Sequence, residues 1–311
     1  MPIVYIHGVA IRDEDEVLAR ATKRFGEVSW DIIRDHLREA IAPVISPDPV
    51  GVPIMRIYWG DLGAQFAWEG RSLVSRSAEV ELAGAAALDD PDVETEDEPA
   101  PTLRERGIRR VRTTATAIRR PVEQFLPTFI GDVLTYVARR GTAQAPGPIP
   151  QRVLEGLEVA AFAAESRGEP LIVLTHSMGG QILYDAVTHF LPRIPRYQGI
   201  RVDFWCAAAS QVGYFEELGL FLASDPAYSA ATGRQVPKPP ADHLGGWWNV
   251  WDHADLLSYR ADGIFEGLDD TPFFAAGTLA TDHNKYLGNP AFYSAFAERV
   301  RASLESPDNA T

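Results

Sequence analysis

Two rhythms run along the chain. Short continuous apolar runs, bounded by glycine or charge, read as buried parallel strands; apolar residues three and four apart read as helices. The runs predict strands at Ile3–Ile6, Ile54–Trp59, Leu171–Leu174, Arg201–Ala208, Trp247–Trp251 and Thr271–Ala276. The wider spacing predicts a long helix over Asp13–Ala42, with Val17, Leu18, Phe25, Ile32, Ile33, Leu37 and Ile41 as its stripe. Further helices are predicted over Ala64–Ala87, Phe125–Val137, Gln181–Leu191, Glu216–Leu222 and Pro290–Leu304, the last with Phe292, Phe296 and Val300 inward. Pro150–Arg167 is the clearest helix, with Val153, Leu154, Leu157, Ala161 and Phe162 on one side and Gly168 as its C-cap. Strands alternating with helices predict an α/β class, a mostly parallel sheet of about six strands with helices on both faces.

Residues 62–148 interrupt that alternation. They read as a helical insertion within a single domain spanning 1–311. Residues 89–101, DDPDVETEDEPAP, are acidic with almost nothing to bury, and read as a mobile solvated loop. Leu103–Arg120 is the opposite, with seven arginines against Glu105, and the apolar Phe125–Val137 stretch follows. Two readings stay open. The insertion is a lid that meets an anionic lipid headgroup and its acyl chain, or it is a helical layer whose arginines pair with the acidic loop.

Candidate chemistry clusters at strand ends. Leu171–Gly180, LIVLTHSMGG, reads as strand, sharp turn, then helix, with Ser177 at the apex. His7-Gly8-Val9 follows the first strand, with His7 read as structural. Asp252 and Asp255 follow the aromatic strand, and His283 follows the last one. A serine hydroxyl is a weak nucleophile until a base takes its proton. His283 is the candidate base and later acid, and a carboxylate would hold its tautomer. Loops at the carboxyl edge of a parallel sheet can bring such residues together.

This Ser…Asp…His order resembles the α/β-hydrolase superfamily, with Thr175 where G-x-S-x-G has its first glycine. The resemblance implies an oxyanion hole from the backbone N–H groups of Val9 and Met178. A narrower likeness lies in patches between Asp132 and Arg260. Asp255–Arg260, DLLSYR, is similar to the D-P-V-A-Y-R stretch of DDHD-type phospholipases A1, with Leu256 for the proline. Thr175–Gly180, followed by Tyr184-Asp185, resembles that family's G-H-S-L-G-S and Y-D. Asp132–Tyr136, DVLTY, resembles its D-V-L-L-Y. The chain is much shorter than those enzymes. The likeness implies a catalytic triad of Ser177, Asp255 and His283, with Asp252 as the alternative acid. It also implies a serine hydrolase cleaving a lipid-like carboxylic ester, as a lipase, phospholipase or esterase does. A peptidase or thioesterase with the same triad, and a non-catalytic binding module on the same scaffold, are the alternatives. His176, beside the serine, is expected to point elsewhere. Phe66, Trp68, Phe125–Val137 and the Trp247/Trp248 pair are read as either acyl-pocket lining or core.

Composition narrows the partners. The 311 residues carry a formal net charge of −14, which argues against a nucleic-acid backbone. The expected partner is a small-molecule or lipid ester, with peripheral membrane contact through the insertion. The single cysteine, Cys206, excludes an intramolecular disulfide and reads as core. No H-E-x-x-H or Cys/His ligand set occurs, so neither metal nor cofactor is expected. MPIVYIHG lacks the pattern of a signal peptide, and a cytoplasmic setting is the expectation.

Overall fold

The computed structural model describes residues 2–13, 27–68, 126–274 and 282–306. The acidic stretch 89–101, the arginine-rich stretch 103–120 and the predicted helix over 64–87 lie mostly or wholly outside those residues.

Six strands form one sheet: β1 (Ile3–Ile6), β2 (Ile54–Ile57), β3 (Ile172–His176), β4 (Val202–Ala208), β5 (Leu244–Trp251) and β6 (Asp269–Pro272). Their spatial order is β2-β1-β3-β4-β5-β6, and every neighbouring pair is parallel. β1 and β3 are buried along their whole length. Such strands need helices on both sides, and alternate residues divide between two cores. Ile3, Tyr5, Ile172, Leu174, Phe204 and Trp248 pack with Ile33 and Leu37 of α1 (Trp30–Ala40) and with Phe292, Phe296 and Val300 of the closing helix. Val4, Ile6, Val173 and Trp205 pack on the opposite face against α2 (residues 126–139), α3 (Pro148–Arg167) and α4 (Gly179–Asp185). α5 (Val212–Glu217) and the closing helix α6 (Pro290–Glu305) complete the named elements.

Several expectations shift. The last strand is Asp269–Pro272, not Thr271–Ala276. It is an edge strand, held by polar bonds and not by apolar content: Trp248 Nε1–H donates to Thr271 Oγ1 at 2.7 Å, and Asn249 Nδ2–H to Asp270 Oδ1 at 2.6 Å. A polar edge also discourages pairing with another chain. The helix after β4 begins at Val212, ahead of the predicted Glu216, because Gln211 already accepts its first turn. On α3, Phe162 is exposed while Val153, Leu154 and Leu157 face the sheet. α4 opens into a π-turn at Ala186–Phe190, where Thr188 Oγ1–H donates back to Tyr184 O at 2.6 Å. Trp247 and Trp248 point to opposite faces of β5: Trp247 stacks on Trp205, Trp248 on Phe292. Both tryptophans are packing residues of the two cores.

Among the described residues, no helix is long and apolar enough to cross a membrane.

Candidate active site

The chain runs from β1 to its neighbour on one side, then returns to lay β3 on the other. That reversal makes the carboxyl ends of β1 and β3 a topological switch point, the place where ligands bind in open α/β sheets. Backbone strain collects there. Among the described residues, three that are not glycine adopt left-handed conformations: Ala10 after β1 (φ 59°), Ser177 after β3 (φ 52°) and Ala209 after β4 (φ 51°). Each such residue costs about 1–2 kcal/mol, and such strain tends to gather at functional sites.

Ser177 owes its geometry to its neighbours. Its N–H donates to Ala208 O at 2.9 Å, which carries the β3–β4 pairing one residue past the strand. Two glycines then let the turn come close to what surrounds it. A Cβ on Gly179 would stand 2.4 Å from Ile6 O, and one on Gly180 would stand 2.3 Å from Ser210 Oγ. Thr175, in the place of the motif's first glycine, has a partner of its own, since Trp205 Nε1–H donates to its Oγ1 at 2.8 Å. From the other side the loop after β1 leans on the serine. A Cβ on Gly8 would lie 2.7 Å from Ser177 Cβ. The backbones of Val9 and Met178 thus flank Ser177, and both residues are buried. His7 orders that loop. Its Nδ1–H donates to Gly8 O at 2.6 Å, its Nε2 accepts from Trp59 N at 3.0 Å, and its ring stacks on Trp59.

Asp255 and His283 meet. His283 Nδ1–H lies 2.9 and 3.0 Å from the two carboxylate oxygens of Asp255, which is buried and also accepts from Leu257 N at 2.9 Å. Burial alone would raise Asp255, but the His283 charge and these hydrogen bonds outweigh it and hold the carboxyl below its usual range. Asp252 turns elsewhere: its Oδ1 accepts from Ala254 N at 2.9 Å, an Asx-type cap of its own loop.

His283 Nε2 is buried, with no hydrogen-bond partner among the described residues. Ser177 Oγ accepts instead from Gln211 Nε2 at 3.3 Å. Gln211 also donates to Ala209 O and Leu257 O, and accepts from Gln181 on α4 at 2.6 Å. The residue linking serine to imidazole is His176. Contrary to expectation it points into the site: its Nε2–H donates to His283 O at 2.7 Å, and the two rings lie 4.8 Å apart. The sequence offered no local signal for this, because the bond joins residues over a hundred positions apart. Gln211 did carry a signal, a polar residue three positions past the end of an apolar strand.

Burial lowers His7 and His176 to about 3; positive neighbours, Arg56 for His7 and His283 for His176, add to the effect. Both rings are neutral in the folded protein. In the unfolded chain each would bind a proton near pH 6.5, so between about 6.5 and 3 the unfolded state holds more protons and stability falls with pH. The loss is about 1.4 kcal/mol per pH unit for each ring. His176→Gln should therefore flatten the pH dependence of unfolding free energy by about one proton over pH 4–6. Denaturant titrations with equal slopes for both proteins would contradict this.

Among the described residues no cluster of histidine, cysteine or carboxylate side chains could hold a metal. Cys206 is buried, and burial pushes its thiol well above the ordinary range. No protein-family model matches the chain, and no curated protein or solved structure matches it either.

Proposed function

We propose that this protein is a serine hydrolase of the α/β-hydrolase fold that cleaves a carboxylic ester through an acyl–Ser177 intermediate. The observation that carries the reading is a left-handed serine at the switch point of a parallel sheet, with a hydrogen-bonded Asp255–His283 pair packed on the preceding residue. Left-handed strain gathers at functional sites, and of the three strained residues Ser177 is the one that carries a hydroxyl.

The steps follow from the groups present. Ser177 Oγ leaves Gln211 and pairs with His283 Nε2, which has no hydrogen-bond partner among the described residues. Catalytic hydrogen bonds commonly tighten only once substrate is bound. Nε2 takes the hydroxyl proton as Oγ bonds to the acyl carbon. Asp255, kept ionised, stabilises the imidazolium at Nδ1. The carbonyl oxygen becomes an oxyanion facing the N–H groups of Val9 and Met178. Collapse breaks the bond to the alkoxy group, which leaves with the proton from Nε2. Water then repeats the sequence on the acyl-enzyme and frees the acid.

A lipid-like acyl chain is the favoured substrate. Ala64 N–H and Ala10 N–H donate to the same carboxylate, that of Asp132 on α2. The segment bearing the exposed Phe66 and Trp68, and the helix bearing the exposed Leu126, Ile130 and Leu134, therefore border the loop after β1. Exposed apolar side chains on segments next to that loop suit an acyl chain better than a peptide.

A fluorophosphonate probe tests the reading. Stoichiometric labelling located at Ser177 by peptide mapping is the expected result. Absence of labelling would favour a non-catalytic binding module. A panel of acyl esters, thioesters and peptides then ranks the substrate classes.

A further inference from the structure

Helix α2 turns its polar residues inward. Thr128, Asp132 and Tyr136, each four positions apart, are buried, whereas Leu126, Ile130 and Leu134 are exposed. Phe129, Val133 and Val137 beside them pack on the core, so α2 covers the sheet and also buries a polar stripe. A buried carboxylate is unfavourable unless donors surround it. Asp132 is 0% exposed and collects four of them: Ala10 N at 2.8 Å, Ala64 N at 2.7 Å, and both terminal nitrogens of Arg12. The backbone makes room for this arrangement. A Cβ on Gly63 would lie 2.4 Å from Asp132 Oδ1 and 2.5 Å from Arg12 Nη2.

The donating backbone of this contact is the strained one. Ala10 is left-handed, and it directly follows Val9 in the loop that leans on Ser177 through Gly8. One turn further along α2, Tyr136 O–H donates to Asp185 at 2.7 Å, and Arg140 donates to the same oxygen at 2.9 Å. Asp185 ends α4, the helix that follows the serine. A single helix is therefore tied to both segments that flank Ser177.

We propose that Asp132, braced by Arg12, is a positioning residue for the oxyanion loop. It holds the N–H of Ala10 in the left-handed turn and so aims the preceding N–H, that of Val9, at the acyl oxygen. It touches no substrate and exchanges no proton. The proposal rests on the serine-hydrolase reading above. It also gives a physical role to a motif whose spacing, Asp132 to Tyr136, is that of one helical turn.

The test separates the two claims. Wild-type protein is first titrated with a fluorophosphonate; if it does not label, the hydrolase reading fails and this proposal falls with it. If it labels, Asp132→Asn is compared per labelled site. The expected result is a kcat about 10²-fold lower, the size of effect seen when an oxyanion donor is lost. KM should stay within threefold, and Ki for an alkyl trifluoromethyl ketone, whose adduct carries the oxyanion, should rise about 10²-fold. A merely structural role would lower the fraction of labelled protein and leave kcat per site and Ki unchanged. Should Asp132→Asn fail to fold, Arg12→Lys decides, since it keeps a cation beside the carboxylate but loses the two-pronged contact. It should lower kcat and raise Ki about tenfold. Wild-type kcat per site and wild-type Ki in whichever variant folds would overturn the proposal.

Discussion

Ser177→Ala should lower ester turnover by about 10⁵–10⁶-fold, the scale of loss when a hydroxyl nucleophile is deleted, while the folded state survives intact. The two outcomes are coupled by the backbone. Ser177 holds a φ of 52° at a buried turn, and alanine retains that strain because the penalty comes from Cβ. Ser177→Gly should therefore be equally inactive yet more stable, by about 1 kcal/mol, since glycine adopts the left-handed region freely. A rise in unfolding midpoint with complete loss of activity is the signature of strain kept for function. Full turnover in Ser177→Ala, or a loss of stability in Ser177→Gly, would remove the serine from its assigned role.

The second large effect concerns the acid. Asp255→Asn should cut kcat about 10⁴-fold, the loss expected when a triad carboxylate becomes an amide and the imidazole takes the wrong tautomer. In the wild type, Asp255 accepts from His283 Nδ1 at 2.9 Å. An asparagine could present its own N–H there, leaving Nδ1 to accept and Nε2 protonated, unable to receive the serine proton. Asp252→Asn should cost less than tenfold, because its carboxylate caps Ala254 N–H and an amide oxygen can do the same. Kinetics of the two purified variants decide the matter; the reverse ranking would exchange their roles. Acid should bring its own loss of stability. The carboxyl of Asp255 is held below its usual range, so its contribution is present above the unfolded carboxylate pKa and disappears as pH falls through the folded one.

These expectations rest on groups that were unequally visible in the linear chain. The apolar runs at 3–6, 171–174 and 201–208 located three central strands to within two residues, because a strand buried on both faces must be apolar throughout. The edge was harder. β6 is DDTP, and no hydrophobic pattern marks a strand that is paired on one side and anchored by side-chain hydrogen bonds. The turn at Ser177 was legible because its requirements are local: an apolar strand, small residues, then a helix.

What the sequence determined by itself is therefore the α/β class, the central strands and the candidate reacting groups, all of which depend on residues within a few positions of one another. It favoured Asp255 over Asp252 only through a family likeness, turned His176 away from the site, and gave Gln211 no role. Only the tertiary structure showed Asp255 hydrogen-bonded to His283, laid His176 against that histidine, set Gln211 on the serine hydroxyl and buried Asp132 under the loop after β1. The reason is physical. Periodicity records which face of an element is buried, whereas a hydrogen bond between residues 28, 34, 107 or 122 positions apart exists only after the sheet has brought their loops to one edge.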